Sequence, residues 1–167
     1  MADVFVQYVT GTPLKSKEGE DMQIEQVTDS TFHTVVPLFD AYRQFYKQPS
    51  DEQAAQQFLE ERVSKKESII FIAKINGDPA GFVQLYPTFS SVALQRAFIL
   101  NDLYVDERFR QQGVGRNLME KCYTYCVERK ARYITLETAK NNYQAQKLYE
   151  QMGMNQEEML HFSKYWQ

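Results

Sequence analysis

The stretch Leu100 to Leu118, reading LNDLYVDERFRQQGVGRNL, leaves little freedom in local architecture. An apolar strand carrying Ile99, Leu100, Leu103 and Val105 passes through a short polar loop into Gly113-Val114-Gly115. An amphipathic helix starts at once, so the pattern predicts strand, glycine turn and helix in direct succession. Glycines let the backbone approach a ligand closely with no Cβ in the way. The first N–H groups of the helix have no partner within it and point outward, backed by the positive end of the helix dipole. Arg108, Arg110 and Arg116 surround the turn and add positive charge. Such a loop suits an anion; in its blandest form it is only a tight strand-to-helix turn.

What the loop lacks narrows the choice of anion. A nucleoside-triphosphate loop needs a Lys-Ser/Thr pair after its glycines, and here Arg116-Asn117 follow. A dinucleotide fingerprint needs a third glycine three residues after the second, and that position is Leu118. Nucleic acid is disfavoured as well, because no basic run or stripe of the kind that tracks phosphates occurs.

The 167 residues suffice for one domain with a real core. Acidic residues slightly outnumber basic ones, 22 against 19, which is compatible with a cationic substrate. No apolar stretch approaches the ~20 residues of a membrane span, and no basic-then-apolar leader opens the chain, so it reads as cytoplasmic. Cys122 and Cys126 fall four apart on one predicted helix, where free cysteine behaves as a small core residue. No cluster of zinc ligands accompanies them, and His33 and His161 stand isolated, so no metal is expected.

Residues 1 to 21 are turn-rich and charged, with only Val4 to Val9 suggesting a strand, and read as an extension outside the core fold. Regular patterning runs from 22 to 167. Met22 to Val27 alternates as a strand. Asp29 or Ser30 caps a helix with Val35, Leu38, Phe39, Tyr42, Phe45 and Tyr46 on its apolar side, and Pro37 should kink it or delay its start. Pro49 to Glu52 signals a second helix, with Ala55, Phe58, Leu59 and Val63 inward. Ser68 to Ile75 and Ala80 to Tyr86 are strands joined by Asn76-Gly77, a strong hairpin signal. Pro87 to Gln95 reads as a loop and Ala97 to Val105 as the next strand. Val114 to Arg129 is a helix with Val114, Leu118, Cys122, Tyr125 and Cys126 inward. Tyr133 to Glu137 reads as a strand, Tyr143 to Met152 as a helix, and one or two short strands follow Met154. This mixture predicts an α/β (α+β) fold rather than a repeated βαβ unit.

The chain resembles the GCN5-related N-acetyltransferases, the GNAT superfamily. Arg110-Gln111-Gln112-Gly113-Val114-Gly115 fits that family's Arg/Gln-x-x-Gly-x-Gly/Ala signature at every fixed position. Downstream, Asn142 to Gly153 (NYQAQKLYEQMG) is similar to the family's second mark: an asparagine, a helix carrying Leu-Tyr-Glu, then a glycine. The resemblance covers about residues 22 to 167 and implies a mixed, mostly antiparallel central sheet flanked by helices.

It also implies acetyl-CoA as co-substrate. The pantetheine arm would lie along the backbone of Leu103, Tyr104 and Val105. The pyrophosphate would sit on Gln111, Gln112, Gly113, Val114 and Gly115 with Arg116, Arg110 filling the signature's first position. Asn142 would hydrogen-bond the arm; on its own terms it is equally a helix N-cap, unless Asn141 takes that role. Tyr149 would donate a proton to the departing CoA thiolate, since a phenol of pKa near ~10 stays protonated at neutral pH. It equally belongs to an apolar stripe with Ala145, Leu148 and Met152, where tyrosines usually pack.

An attacking alkylamine must first lose a proton. Some family members carry a glutamate on the strand before the turn; the matching residue here is Asn101, which cannot ionise. Asp102 and Glu137 are the candidate bases. Neighbours on a strand face opposite ways, so Asn101 and Asp102 share a face only if a bulge intervenes. Tyr42, Tyr46, Tyr86 and Phe89 are candidate pocket aromatics for an alkyl or cationic group, with Phe45 beside them and Asn101 a further substrate contact. The expected acceptor is a primary amine of a small polyamine-like or amino-acid-like molecule, or a basic peptide. A non-catalytic acyl-CoA sensor of the same fold is the other reading. Members of the family often dimerise through terminal strands, and the aromatic tail His161 to Trp166 suits that use.

Overall fold

The computed structural model describes residues 21–166. The predicted strand at Val4 to Val9 lies outside them. The described chain falls into two compact units, one ending at Glu137 and the other beginning at Thr138.

The first unit is built on a five-stranded sheet in the order β1-β2-β3-β4-β5. Its strands are β1 (Met22–Gln26), β2 (Ile69–Ile75), β3 (Asp78–Ser90), β4 (Gln95–Val105) and β5 (Ile134–Thr135). The first four pair antiparallel, and β5 runs parallel to β4. A parallel neighbour demands a crossover connection, here the helix α3 (Val114–Glu128). Asn76 and Gly77 both take positive φ, 51° and 90°, as the tight turn from β2 to β3 requires. The span from Pro87 to Gln95, expected as a loop, is instead strand as far as Ser90, and β4 resumes at Gln95. Ladder pairs such as Thr88 with Ala97 supply the hydrogen bonds that local composition did not advertise.

One face of the sheet carries α1 (Val36–Phe45) and α2 (Glu52–Ser64). Pro37 delays α1 as expected: a short 3-10 turn, Phe32–Thr34, precedes it, and the proline sits in its first turn, where no N–H is needed. Asp51 caps α2, its Oδ1 accepting from Ala54 N–H at 2.9 Å. Val35, Leu38, Phe39, Ala55 and Leu59 close over Ile70, Ile72 and Phe82. Phe45, Tyr46 and Phe58, expected inward, are exposed by 55%, 52% and 37%. They lie at the edges of helical stripes broader than the sheet surface they cover.

The opposite face takes α3, which buries Val114, Leu118, Met119, Cys122 and Cys126. Tyr125 sets its ring edge-on to Phe71 and Phe98, both at 5.6 Å. Both cysteines are free, and burial raises their thiol pKa, for Cys126 to about 11.

In the second unit the helix α4 (Tyr143–Gln151) is capped by Asn142 itself, whose Oδ1 accepts from Ala145 N–H at 3.3 Å. Its C-terminus closes on Gly153 at φ 80°, with Met154 N–H reaching Tyr149 O at 3.0 Å. The short strands expected after Met154 do not form: residues 154–166 hold no strand. The strand expected over Tyr133 to Glu137 contracts to the two residues of β5.

Candidate acetyl-transfer site

The glycine turn is a folded device rather than a slack loop. Gln111 and Gly113 both take positive φ, 64° and 90°, and Gly113 is the N-cap of α3. Positive φ at Gln111 and Gly113 sets the backbone of the turn, and the open end of α3 adds its dipole. A Cβ on Gly113 would find only the Asn117 amide, at 3.5 Å, so its glycine is needed for φ rather than for space. Asn117 Nδ2 donates to Gly113 O at 3.0 Å, and Gln112 Nε2 to Arg108 O at 3.2 Å, bracing the turn from both ends.

The arginines divide their work. Arg108 forks onto the Asp106 carboxylate with two bonds of 3.0 Å, an internal neutralisation. Arg110 pairs with Glu107 at 3.5 Å and donates from Nε to Val105 O at 3.1 Å, tying the turn to the end of β4. Arg116 is exposed in the first turn of α3.

Beside the turn, the outer edge of β4 is open. β5 pairs only with Phe98 and Ile99, so Leu103, Tyr104 and Val105 have a strand neighbour on the β3 side alone. Such an edge can take a further extended, amide-rich segment. Gly81 on β3 makes the junction tight: a Cβ there would stand 2.6 Å from Tyr104 O and 3.2 Å from Val114 Cγ1.

The condition set for Asn101 and Asp102 is met. Gln84 pairs with Asp102 and Leu85 with Leu100, leaving Asn101 as the extra residue of a β-bulge. Both side chains then share a side, Asn101 Nδ2 donating to Asp102 Oδ1 at 3.0 Å. Asp102 is 4% exposed and also accepts from Gln84 Nε2 at 2.6 Å. Burial raises its pKa against the opposing pull of Gln84, Tyr42 and Asn101. Burial acts in the same direction on its phenolic neighbours, and with the Asp102 charge it raises Tyr86 to about 12 and Tyr42 higher still.

Tyr42 centres an aromatic wall, its ring 5.1 Å from Tyr46, 5.9 Å from Phe82 and 6.3 Å from Tyr104. Tyr86 joins this group through Gln84, whose Nε2 also donates to the Tyr86 hydroxyl at 3.0 Å. Phe89 stands apart. Three residues beyond Tyr86, it faces the other side of the sheet by strand alternation, under the Arg96 guanidinium at 5.2 Å. Glu137 is an exposed residue beyond β5, and Asn142 and Tyr149 belong to the second unit. Sequence reading missed Gln84; the available signal was one polar residue amid the apolar run Gly81 to Tyr86. Among the described residues no group of three or more His, Cys, Asp or Glu side chains could hold a metal, and no helix is long and apolar enough to cross a membrane.

The family pattern of the acetyltransferase (GNAT) family matches residues 35–154. The chain is 44% identical over 136 residues to the uncharacterized N-acetyltransferase YhfO of Bacillus subtilis (strain 168), covering 81% of this chain and 91% of that one. It is 32% identical over 123 residues to a probable acetyltransferase of Haemophilus influenzae, covering 73% and 84%. A crystal structure of a probable acetyltransferase superposes with a TM-score of 0.82 at 36% identity, covering 87% of this chain and 98% of that one. The chain belongs to the GNAT family and is an acetyl-CoA-dependent N-acetyltransferase.

Proposed function

We propose that the protein transfers acetyl from acetyl-CoA directly to the primary amine of a small polyamine-like or amino-acid-like molecule, or of a basic peptide. The observation that carries this reading is the union, in one unit, of the positive-φ turn at Gly113, the open edge of β4 and the aromatic wall around Tyr42. The residues fit the co-substrate. Gln111, Gln112, Gly113, Val114, Gly115 and Arg116 hold the pyrophosphate, with Arg110 as brace. The backbone of Leu103, Tyr104 and Val105 holds the arm, and the Asn142 amide N–H group, whose Oδ1 caps α4, is a further donor to it.

Acetyl-CoA supplies an activated thioester; the protein supplies proton traffic and exclusion of water. Tyr149 is the acid that protonates the leaving sulfur. Asp102 is the base best supported, because burial makes its carboxylate more basic than an exposed one. With only 4% exposure it takes the amine proton through an intervening hydroxyl or water. Glu137 is the second candidate, on an exposed segment with easy access to water. Tyr42, Tyr46 and Tyr86, with Asn101, line the acceptor side, and Phe89, on the other side of the sheet, stays outside it. A second copy of the chain docks through the exposed aromatic tail, and the reaction belongs in the cytoplasm, where acetyl-CoA is available.

Thermal melting with acetyl-CoA, CoA, ATP and NAD in parallel tests the reading. A ligand that binds only the folded chain at a hundredfold excess over Kd adds about 2.7 kcal/mol. Acetyl-CoA and CoA should raise the melting temperature, with ATP and NAD inert; no shift with either thioester or thiol would overturn it.

A further inference from the structure

Gln84 is fully buried at the centre of β3, and its carboxamide is unequally used. One hydrogen of Nε2 goes to Asp102 Oδ2 at 2.6 Å, the other to Tyr86 Oη at 3.0 Å, while Oε1 is buried without a partner. A carboxylate can only accept, so Asp102 obliges the amide to turn its NH2 inward. The opposite rotamer would place an acceptor against an acceptor. The unpaired Oε1 is the cost of that choice, since a buried acceptor without a donor is destabilising.

The arrangement has a consequence at Tyr86. Its oxygen already accepts from Gln84, so its single hydroxyl hydrogen points away from the network, on a side chain that is itself only half-buried. With the amide reversed, the phenol would donate inward and offer the pocket no proton.

We propose that Gln84, oriented by Asp102, is a positioning residue that aims the Tyr86 hydroxyl into the acceptor pocket as a hydrogen-bond donor. The site then favours amines carrying a neutral carbonyl oxygen, such as amino-acid amides and peptide units, over plain diamines. A second ammonium has no lone pair for the Tyr86 proton, and a carbonyl does. This inference rests on the reading of the Tyr42 and Tyr86 wall as the acceptor side.

The test compares alaninamide with isopropylamine and putrescine, following release of the CoA thiol. The full-length enzyme is assayed with its Gln84→Met, Gln84→Glu and Tyr86→Phe variants. In the parent, alaninamide should exceed both amines by about tenfold in kcat/KM. Gln84→Met keeps the length but cannot donate, and Gln84→Glu presents a carboxyl that draws the Tyr86 proton inward. Both should bring the ratio near one through the KM for alaninamide, as should Tyr86→Phe, with the KM for acetyl-CoA unchanged. Retained acetyl-CoA melting shifts would show that the variants are folded. A ratio lost in Tyr86→Phe yet kept in both Gln84 variants would overturn the positioning role, and putrescine as the better acceptor for the parent would overturn the carbonyl preference. Neither result touches the acetyltransferase reading. That reading fails separately, on absence of any acetyl-CoA shift.

Discussion

At the scale of single residues, the sharpest demands come from two glycines with different reasons to exist. Gly113 needs a conformation, φ 90°, that a Cβ disfavours by roughly 1–2 kcal/mol. Gly113→Ala should therefore lower stability by about that amount and weaken acetyl-CoA binding, readable together in one melting series with ligand. Gly81 needs space: its Cβ would stand 2.6 Å from the Tyr104 carbonyl, which is backbone and cannot swing aside. Gly81→Ala should force β3 and β4 apart at a cost of about 1–3 kcal/mol, measured by denaturant unfolding. Tyr149→Phe removes only a hydroxyl. If that hydroxyl protonates the leaving sulfur, kcat should fall by about 10²-fold, with acetyl-CoA affinity by calorimetry unaltered. An unchanged kcat would remove Tyr149 from the chemistry.

At the scale of elements, the α1–α2 corner is pinned by one buried carboxylate. Asp40 accepts from Ser50 Oγ at 2.7 Å, Asp51 N–H at 2.8 Å and Gln44 Nε2 at 2.9 Å, with Arg43 at 3.3 Å. Burial pushes its pKa upward, but the Asp51 N–H, Ser50, Gln44 and the Arg43 charge outweigh it, and the carboxyl ends below its ordinary 3.8. A depressed folded pKa means that the unfolded chain binds the proton first. The stabilisation is therefore complete above the ordinary value and disappears as pH falls through the folded one. Asp40→Asn should cost about 1–3 kcal/mol at neutral pH. Its penalty should shrink below pH 3.8, visible as converging unfolding midpoints in an acid series. The bulge at Asn101 acts on the same scale: one extra residue in β4 turns Asn101 and Asp102 to a common side.

At the scale of the whole molecule, the exposed large apolar side chains of the tail matter most. Met159, Leu160, Phe162, Tyr165 and Trp166 are all at least 80% exposed. Such a cluster is unfavourable in water without a partner. If a second copy covers it, sedimentation should report a dimer for the full chain and a monomer after truncation beyond Glu158. A monomer in both would leave the tail without that role.

Local chemistry was legible in the residues themselves. Gly113 after a polar loop, Pro37 in a first turn, Asp51 and Asn142 as caps and Asn76-Gly77 in a hairpin each act on backbone within a few residues, where no distant contact is needed to decide the outcome. The strand–turn–helix was readable for that reason, and with it the family. Contacts distant along the chain decided the rest. Gln84 and Asp102 are eighteen positions apart, and only the register of β3 on β4 makes them partners. The same register extends β3 to Ser90 and leaves Asn101 as the bulge. Burial is a property of the assembled sheet and helices, so the raised pKa of Asp102, and the hydrogen bond from Gln84 to the Tyr86 hydroxyl, exist only once the tertiary structure has formed.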